Sequence, residues 1–168
     1  PKQNLVERRR PTIDDDKFYK LQAHLRNKFQ DELSQPLQSV PLKAEQLFLF
    51  YCWIETLEHT GIRPWSSKNL AMKMTDIERR KSNSGDIQLF VKRTEKGHTY
   101  TAPATRYWIH TLNRLDAFYR ARGLKKRKWL LCHSRDNPAM GVKKGDPIAS
   151  FKTAWNTAIR DLGFNDSH

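Results

Sequence analysis

The stretch on which the reading of this chain turns is Phe48-Leu49-Phe50-Tyr51-Cys52-Trp53-Ile54, carried on to Thr60-Gly61-Ile62-Arg63. Phe48 to Ile54 is continuously apolar or aromatic, so the helix that carries it is expected to be buried on most sides. Gly61 and Pro64 stop that helix. An arginine placed directly after such an element stands on a rigid support. A guanidinium held this way offers a bidentate fork to a phosphate. The other reading of Arg63 is a helix-end arginine that bonds the last carbonyls of its own helix.

Working outward, residues 1–11 read as a linker, polar and basic at Arg8-Arg9-Arg10, ending at Pro11. Thr12 is expected to cap a helix whose first turn holds Asp14, Asp15 and Asp16, acids that suit a helix N-terminus. Phe18, Leu21, Leu25 and Phe29 follow at helical spacing. Pro36 and Pro41 break the pattern, and the second helix runs from about Leu42 to His59. Ser66 to Leu70 can open a short helix. The character then changes. Asp76 to Arg80, Ile87 to Lys92 and His98 to Ala102 read as short strands of a meander, separated by Ser82-Asn83-Ser84-Gly85 and Glu95-Lys96-Gly97. A helix from about Thr105 to Arg122 places Trp108, Ile109, Leu112, Leu115 and Tyr119 on one face, and Gly123 ends it. Trp129-Leu130-Leu131 is expected to form a strand, residues 134–147 a polar loop, and Phe151 to Leu162 a last helix. The fold class is therefore α+β, mainly α, with a small three-stranded antiparallel sheet. Residues 12–168 form one domain, and the start at Pro1 reads as a piece of something longer.

The net charge of +13 is unevenly placed. Residues 1–60 carry nine basic and nine acidic side chains, and residues 61–168 carry 22 basic against nine acidic. The whole excess lies after the Gly61 turn. Such asymmetry implies a polyanion-binding face, with nucleic acid the first expectation and an acidic membrane surface the second. The run Leu47 to Ile54 is far short of the ~20 apolar residues a bilayer requires, and neither a membrane span nor a signal peptide is expected. Cys52 and Cys132 make no CxxC pair and no disulfide framework, so a reducing compartment is expected, cytoplasm or nucleoid. Cys52, inside the apolar run, reads as a small core residue.

Several chemistries drop out. The chain has no P-loop, no GxGxxG and no GxSxG. His59, His98, His110 and His133 lack metal-like spacing and read as ordinary surface or core histidines. Carboxylates are sparse after residue 61, against a two-metal nuclease. No cofactor is called for, and phosphate chemistry would rest on side-chain cations. The hairpin turn supplies them: Lys96 beside Gly97, with Lys92 and Arg93 just before it. A solvated tip making generic phosphate contacts is the bland alternative. Lys68 and the cluster Lys125, Lys126 and Arg127 complete the candidate DNA-binding set.

Taken together, Thr60-Gly61-Ile62-Arg63, Leu70, Asp76-Ile77, the meander, and Thr94-Glu95-Lys96-Gly97-His98-Thr99-Tyr100-Thr101-Ala102-Pro103 resemble the catalytic domain of the tyrosine recombinases, the phage integrase family. The resemblance covers roughly residues 8 to 165 in element order. It implies the DNA breaking-rejoining fold, and site-specific recombination or integration through a 3′-phosphotyrosyl intermediate. Double-stranded DNA would be the partner and a homo-tetramer the assembly on it, with no metal or nucleotide. It implies that Arg63 binds the scissile phosphate and that a hairpin lysine, Lys96 or else Lys92, is the general acid. Counted back from Pro103, Glu95 stands where the family lysine usually does, and Ser66 stands where an acid is usual. The family's HxxR pair and nucleophilic tyrosine would follow the last helix, His168 being a possible start of HxxR. The five tyrosines present read as packing groups, so this stretch alone is expected not to cut DNA. A non-catalytic DNA-binding module on the same fold is the alternative, and a basic RNA-binding or scaffold domain a third.

Overall fold

The apolar run lies, as its composition dictates, in helix α2 (Leu42–Thr60), and every residue from Phe48 to Thr56 is buried. No single partner can cover a helix that is apolar all round, so two helices flank it. The structure, a computed structural model, describes residues 14–62 and 70–164. Helix α1 (Asp15–Leu33) presents Leu21, Leu25 and Phe29, four residues apart, to one side of α2. Phe29 meets Phe48 and Tyr51 edge-on at ring-centroid distances of 5.6 and 5.5 Å. Helix α3 (Trp108–Ala121) covers the other side with Trp108, Leu112, Leu115, Phe118 and Tyr119. Each fully buried Leu or Phe contributes about 1.5–3 kcal/mol relative to exposure. Helix α4 (Lys152–Asp161) follows, with Phe151 against Phe50 at 5.4 Å and Lys28 of α1 bonded to Asp161 at 2.6 Å.

Buried charge ties these helices in register. Glu55 of α2 accepts from Thr111 at 2.6 Å and pairs with Arg114, both on α3. Glu45, wholly buried, receives Arg122 at 2.7 Å, Arg135 at 3.0 Å, and Ser134. Burial pushes the Glu45 carboxyl up, but the hydrogen bonds from Arg135, Ser134 and Arg122 outweigh it and hold the group below its usual range.

The three strands are β1 (Ile77–Lys81), β2 (Ile87–Glu95) and β3 (His98–Ala104), antiparallel in the order β1-β2-β3. The chain is about 51% helical, so it is an α+β protein with helix predominant. Several boundaries differ from the sequence expectation for identifiable reasons. Asp14 is the cap of α1 rather than part of its first turn, its carboxylate accepting from Lys17 N at 2.8 Å; Thr12 lies outside the described residues. Helix α3 starts at Trp108, not Thr105, because Thr105 is tied to α2. Its amide donates to His59 O at 2.9 Å and its hydroxyl pairs with His59 Nδ1 at 2.7 Å. Trp129-Leu130-Leu131 is not a strand. Lys73 and Trp129 form a single bridge, flanked by Leu130 N bonded to Met72 O at 2.8 Å and Met74 N to Lys128 O at 2.8 Å. Next in line, the Cys132 amide and carbonyl are both taken by the Tyr119 hydroxyl, at 2.8 and 2.7 Å. A side chain has replaced the neighbouring strand there.

Candidate nucleic-acid interface

The end of α2 is stiff. Gly61 takes φ +63°, a left-handed conformation that glycine adopts without steric cost, and its amide bonds Leu57 O at 2.9 Å. The buried Thr60 hydroxyl donates to Thr56 O at 2.6 Å and accepts from Ile62 N at 3.4 Å. Ile62 is itself buried. The support expected beneath Arg63 is thus in place through Ile62. Arg63, Ser66 and Lys68 lie outside the described residues.

The sheet projects an arm beside this turn. β1 begins with Ile77 opposite Val91, so Lys92 to Glu95 of β2 pair with β3 alone. This two-stranded extension closes through Lys96 and Gly97, at φ 49° and 81°. Positive φ at both central residues is what a two-residue type I′ hairpin turn needs, and it matches the strand twist. Glycine meets that demand freely; lysine at Lys96 is strained. Alternation along β2 sets the faces. Leu89 and Val91 are buried, Arg93 continues their positions and is half-buried, and Lys92 and Thr94 between them are exposed. Thr94 and Thr99 face each other across the ladder with their hydroxyls 3.1 Å apart.

Where the arm meets the body, a cleft of about 370 Å³ is lined by Ile62, Met72, Lys73, Asp76, Lys92, Arg93, Thr94 and Thr99. The Arg93 guanidinium reaches back to the Gly61 turn: Nη2 is 3.8 Å from the position a β-carbon on Gly61 would occupy. Its Nε is buried and bonds to nothing among the described residues. The carboxylate of Asp76 accepts from the Lys73 amide at 3.0 Å. Two of the sequence-predicted residues, Lys92 and Arg93, are therefore brought together at the cleft beside Ile62. Lys96 is not among its lining and stands exposed at the arm's tip. Lys73 was missed by sequence reasoning. Besides the Asp76 carboxylate on its amide, a long-range bridge to Trp129 fixes it here, and no local pattern announces that bridge.

The second basic group divides. Lys125 and Lys126 are exposed on the loop after α3. Arg127 turns inward, its side chain 3% exposed, paired with Asp116 at 3.0 Å and lying over the Tyr119 ring at 4.5 Å. The side chain expected to face a phosphate thus lies against the protein, where the loop folds back over Tyr119. Lys144 joins the exposed pair's neighbourhood, with Nζ 3.7 Å from the β-carbon position of Gly123.

Burial pushes the Cys52 and Cys132 thiols up and raises the Tyr119 hydroxyl well above its usual value, so these are packing groups rather than nucleophiles. Among the described residues no group of three His, Cys, Asp or Glu side chains is placed to hold a metal ion. No helix among them is long and apolar enough to cross a membrane. What the arrangement can do chemically is bind and orient an anion beside the end of α2. No family model, no curated protein and no solved structure matches this chain.

Proposed function

We propose that this chain is the phosphate-binding part of a site-specific DNA recombinase or integrase of the tyrosine type, acting in the cytoplasm as a homo-tetramer on duplex DNA. In this reading Arg63 binds the scissile phosphate and neutralises charge as the pentacoordinate transition state forms. A tyrosine of the full-length protein attacks phosphorus and a 5′ hydroxyl leaves, protonated by a lysine. The phosphotyrosyl link keeps the energy of the diester it replaces, so rejoining needs no nucleotide. The observation that carries the reading is the contact between arm and turn: Arg93 packs on Gly61, which puts the lysine-bearing hairpin beside the residue that precedes Ile62-Arg63. Of the two hairpin lysines, Lys92 is the general acid here, since it lines the cleft and Lys96 does not.

A leaving group of low pKa needs no general acid. The test is cleavage of duplex DNA carrying a 5′-bridging phosphorothiolate by the full-length protein. Lys92→Ala should lose cleavage of ordinary DNA and recover it on the sulfur-substituted strand. No covalent protein–DNA adduct on either substrate, with any variant, would remove the recombinase reading. It would leave the second one, a non-catalytic DNA-binding module on the same fold, which the exposed position of Lys96 outside the cleft favours.

A further inference from the structure

We infer that the cleft at the base of the arm is a phosphate-ester subsite centred on Arg93, and that it binds its ligand whether or not the protein cuts DNA. Arg93 is a permanent cation with a buried, unbonded Nε, and no carboxylate pairs with it among the described residues. Leaving a buried donor unmade is costly, and charged donors cost most. Arg122 and Arg127, whose side chains turn inward, each have a carboxylate, although Arg127 also keeps a buried Nη2 unbonded. Arg93 has instead a cleft.

The lining suits an oxyanion. Lys92 and Lys73 belong to the same lining as Arg93, so three basic residues border the cleft against one acid, Asp76, whose carboxylate is already engaged by the Lys73 amide at 3.0 Å. Bound to an anion, they would act as charge-assisted donors, about twice as strong as neutral ones. Thr94 and Thr99 add hydroxyls at the rim. Ile62 and Met72 form apolar walls, which strengthen any charged hydrogen bond made beside them. The volume, about 370 Å³, falls in the range of small-ligand pockets, ~300–1,000 Å³. That leaves room for a phosphate and part of what it esterifies. The glycine at 61 leaves open the side on which Arg93 rests, and the arm's open edge leaves the cleft accessible to a strand as well as to a free molecule. The chemistry common to both is a phosphate ester, from a nucleic-acid backbone or from a free nucleotide.

The experiment is a titration of the ¹⁵N-labelled protein with inorganic phosphate at constant ionic strength, following the arginine Nε–Hε signals. The Arg93 signal should shift saturably. Arg93→Gln should weaken phosphate binding at least tenfold by calorimetry and Arg93→Lys nearly as much, while Lys20→Gln, on the exposed side of α1, leaves it unchanged. An unmoved Arg93 signal, or Arg93→Gln binding as tightly as the unaltered protein, overturns the proposal. The wild-type titration decides it alone if Arg93→Gln does not fold. Competition then identifies the source. Displacement of phosphate by a short duplex points to the nucleic-acid backbone, and displacement by adenosine monophosphate alone to a free nucleotide. Displacement by neither overturns a phosphate-ester site. Failure here leaves the covalent-adduct test of the recombinase reading untouched, and the reverse holds too.

Discussion

The guanidinium of Arg93 lies against the Gly61 turn, with Nη2 3.8 Å from where a β-carbon on Gly61 would sit. Arg93 belongs to the arm and Gly61 to the end of the most buried helix. Their contact converts two distant signals in the sequence into one surface. The space would admit a methyl group, since 3.8 Å is an ordinary contact, but the backbone would not, because φ at Gly61 is +63°. Gly61→Ala should therefore cost about 1–2 kcal/mol through backbone strain alone, read as a lower urea midpoint. An unchanged midpoint would mean the turn is not held in this conformation.

The tip of the arm makes the opposite prediction. Lys96 sits at φ 49°, which asparagine tolerates better. Lys96→Asn should stabilise the protein by about 0.5 kcal/mol, seen as a small rise in thermal midpoint. With Lys92 as the general acid, the same variant should keep DNA cleavage by the full-length protein. Loss of cleavage with Lys96→Asn would return the role to Lys96.

The Tyr119 hydroxyl serves both backbone groups of Cys132, at 2.8 and 2.7 Å. Tyr119→Phe would orphan a buried amide and a buried carbonyl together, at about 2–3 kcal/mol. Equilibrium denaturation of the variant checks this. A loss below about 0.5 kcal/mol would show that water or a shifted strand takes over.

Glu45 contributes to the acid limb of stability. Its folded value is depressed, so its contribution is full above the ordinary glutamate value of about 4.3 and is lost as pH falls through the lower, folded one. Glu45→Gln should therefore destabilise at pH 7, by about 3 kcal/mol because Arg122 and Arg135 lose their counter-charge. The difference between variant and wild type should narrow below about pH 4. A gap independent of pH would assign Glu45 a packing role only.

Much of this fold was legible because its signals are local. The apolar run of α2, the four-residue spacing of Leu21, Leu25 and Phe29, and the two hairpin turns each declare an element without reference to the rest of the chain. The departures from the local reading fall where a remote partner decides. Thr105 is drawn out of helix α3 by His59, 46 residues away. Trp129 is held by Lys73, and Arg127 is turned inward by Tyr119 and Asp116. The same limit applies to the candidate site. Lys92 and Arg93 could be read off the hairpin as cations, but that one side faces a cleft and shares it with Lys73 follows only from how residues 70–76 pair with residues 128–130.

The central claim is that the turn after α2 and the arm beside it form one site for handling a DNA phosphodiester. It is tested most directly by Arg63→Ala in the full-length protein, assayed in parallel for duplex binding and for covalent strand cleavage at a recombination site. Removing one phosphate contact should weaken binding only modestly and reduce the salt slope by about one. Cleavage should fall by at least ~100-fold, the loss expected for a preorganised transition-state ligand. Cleavage that persists at the wild-type rate would contradict the account.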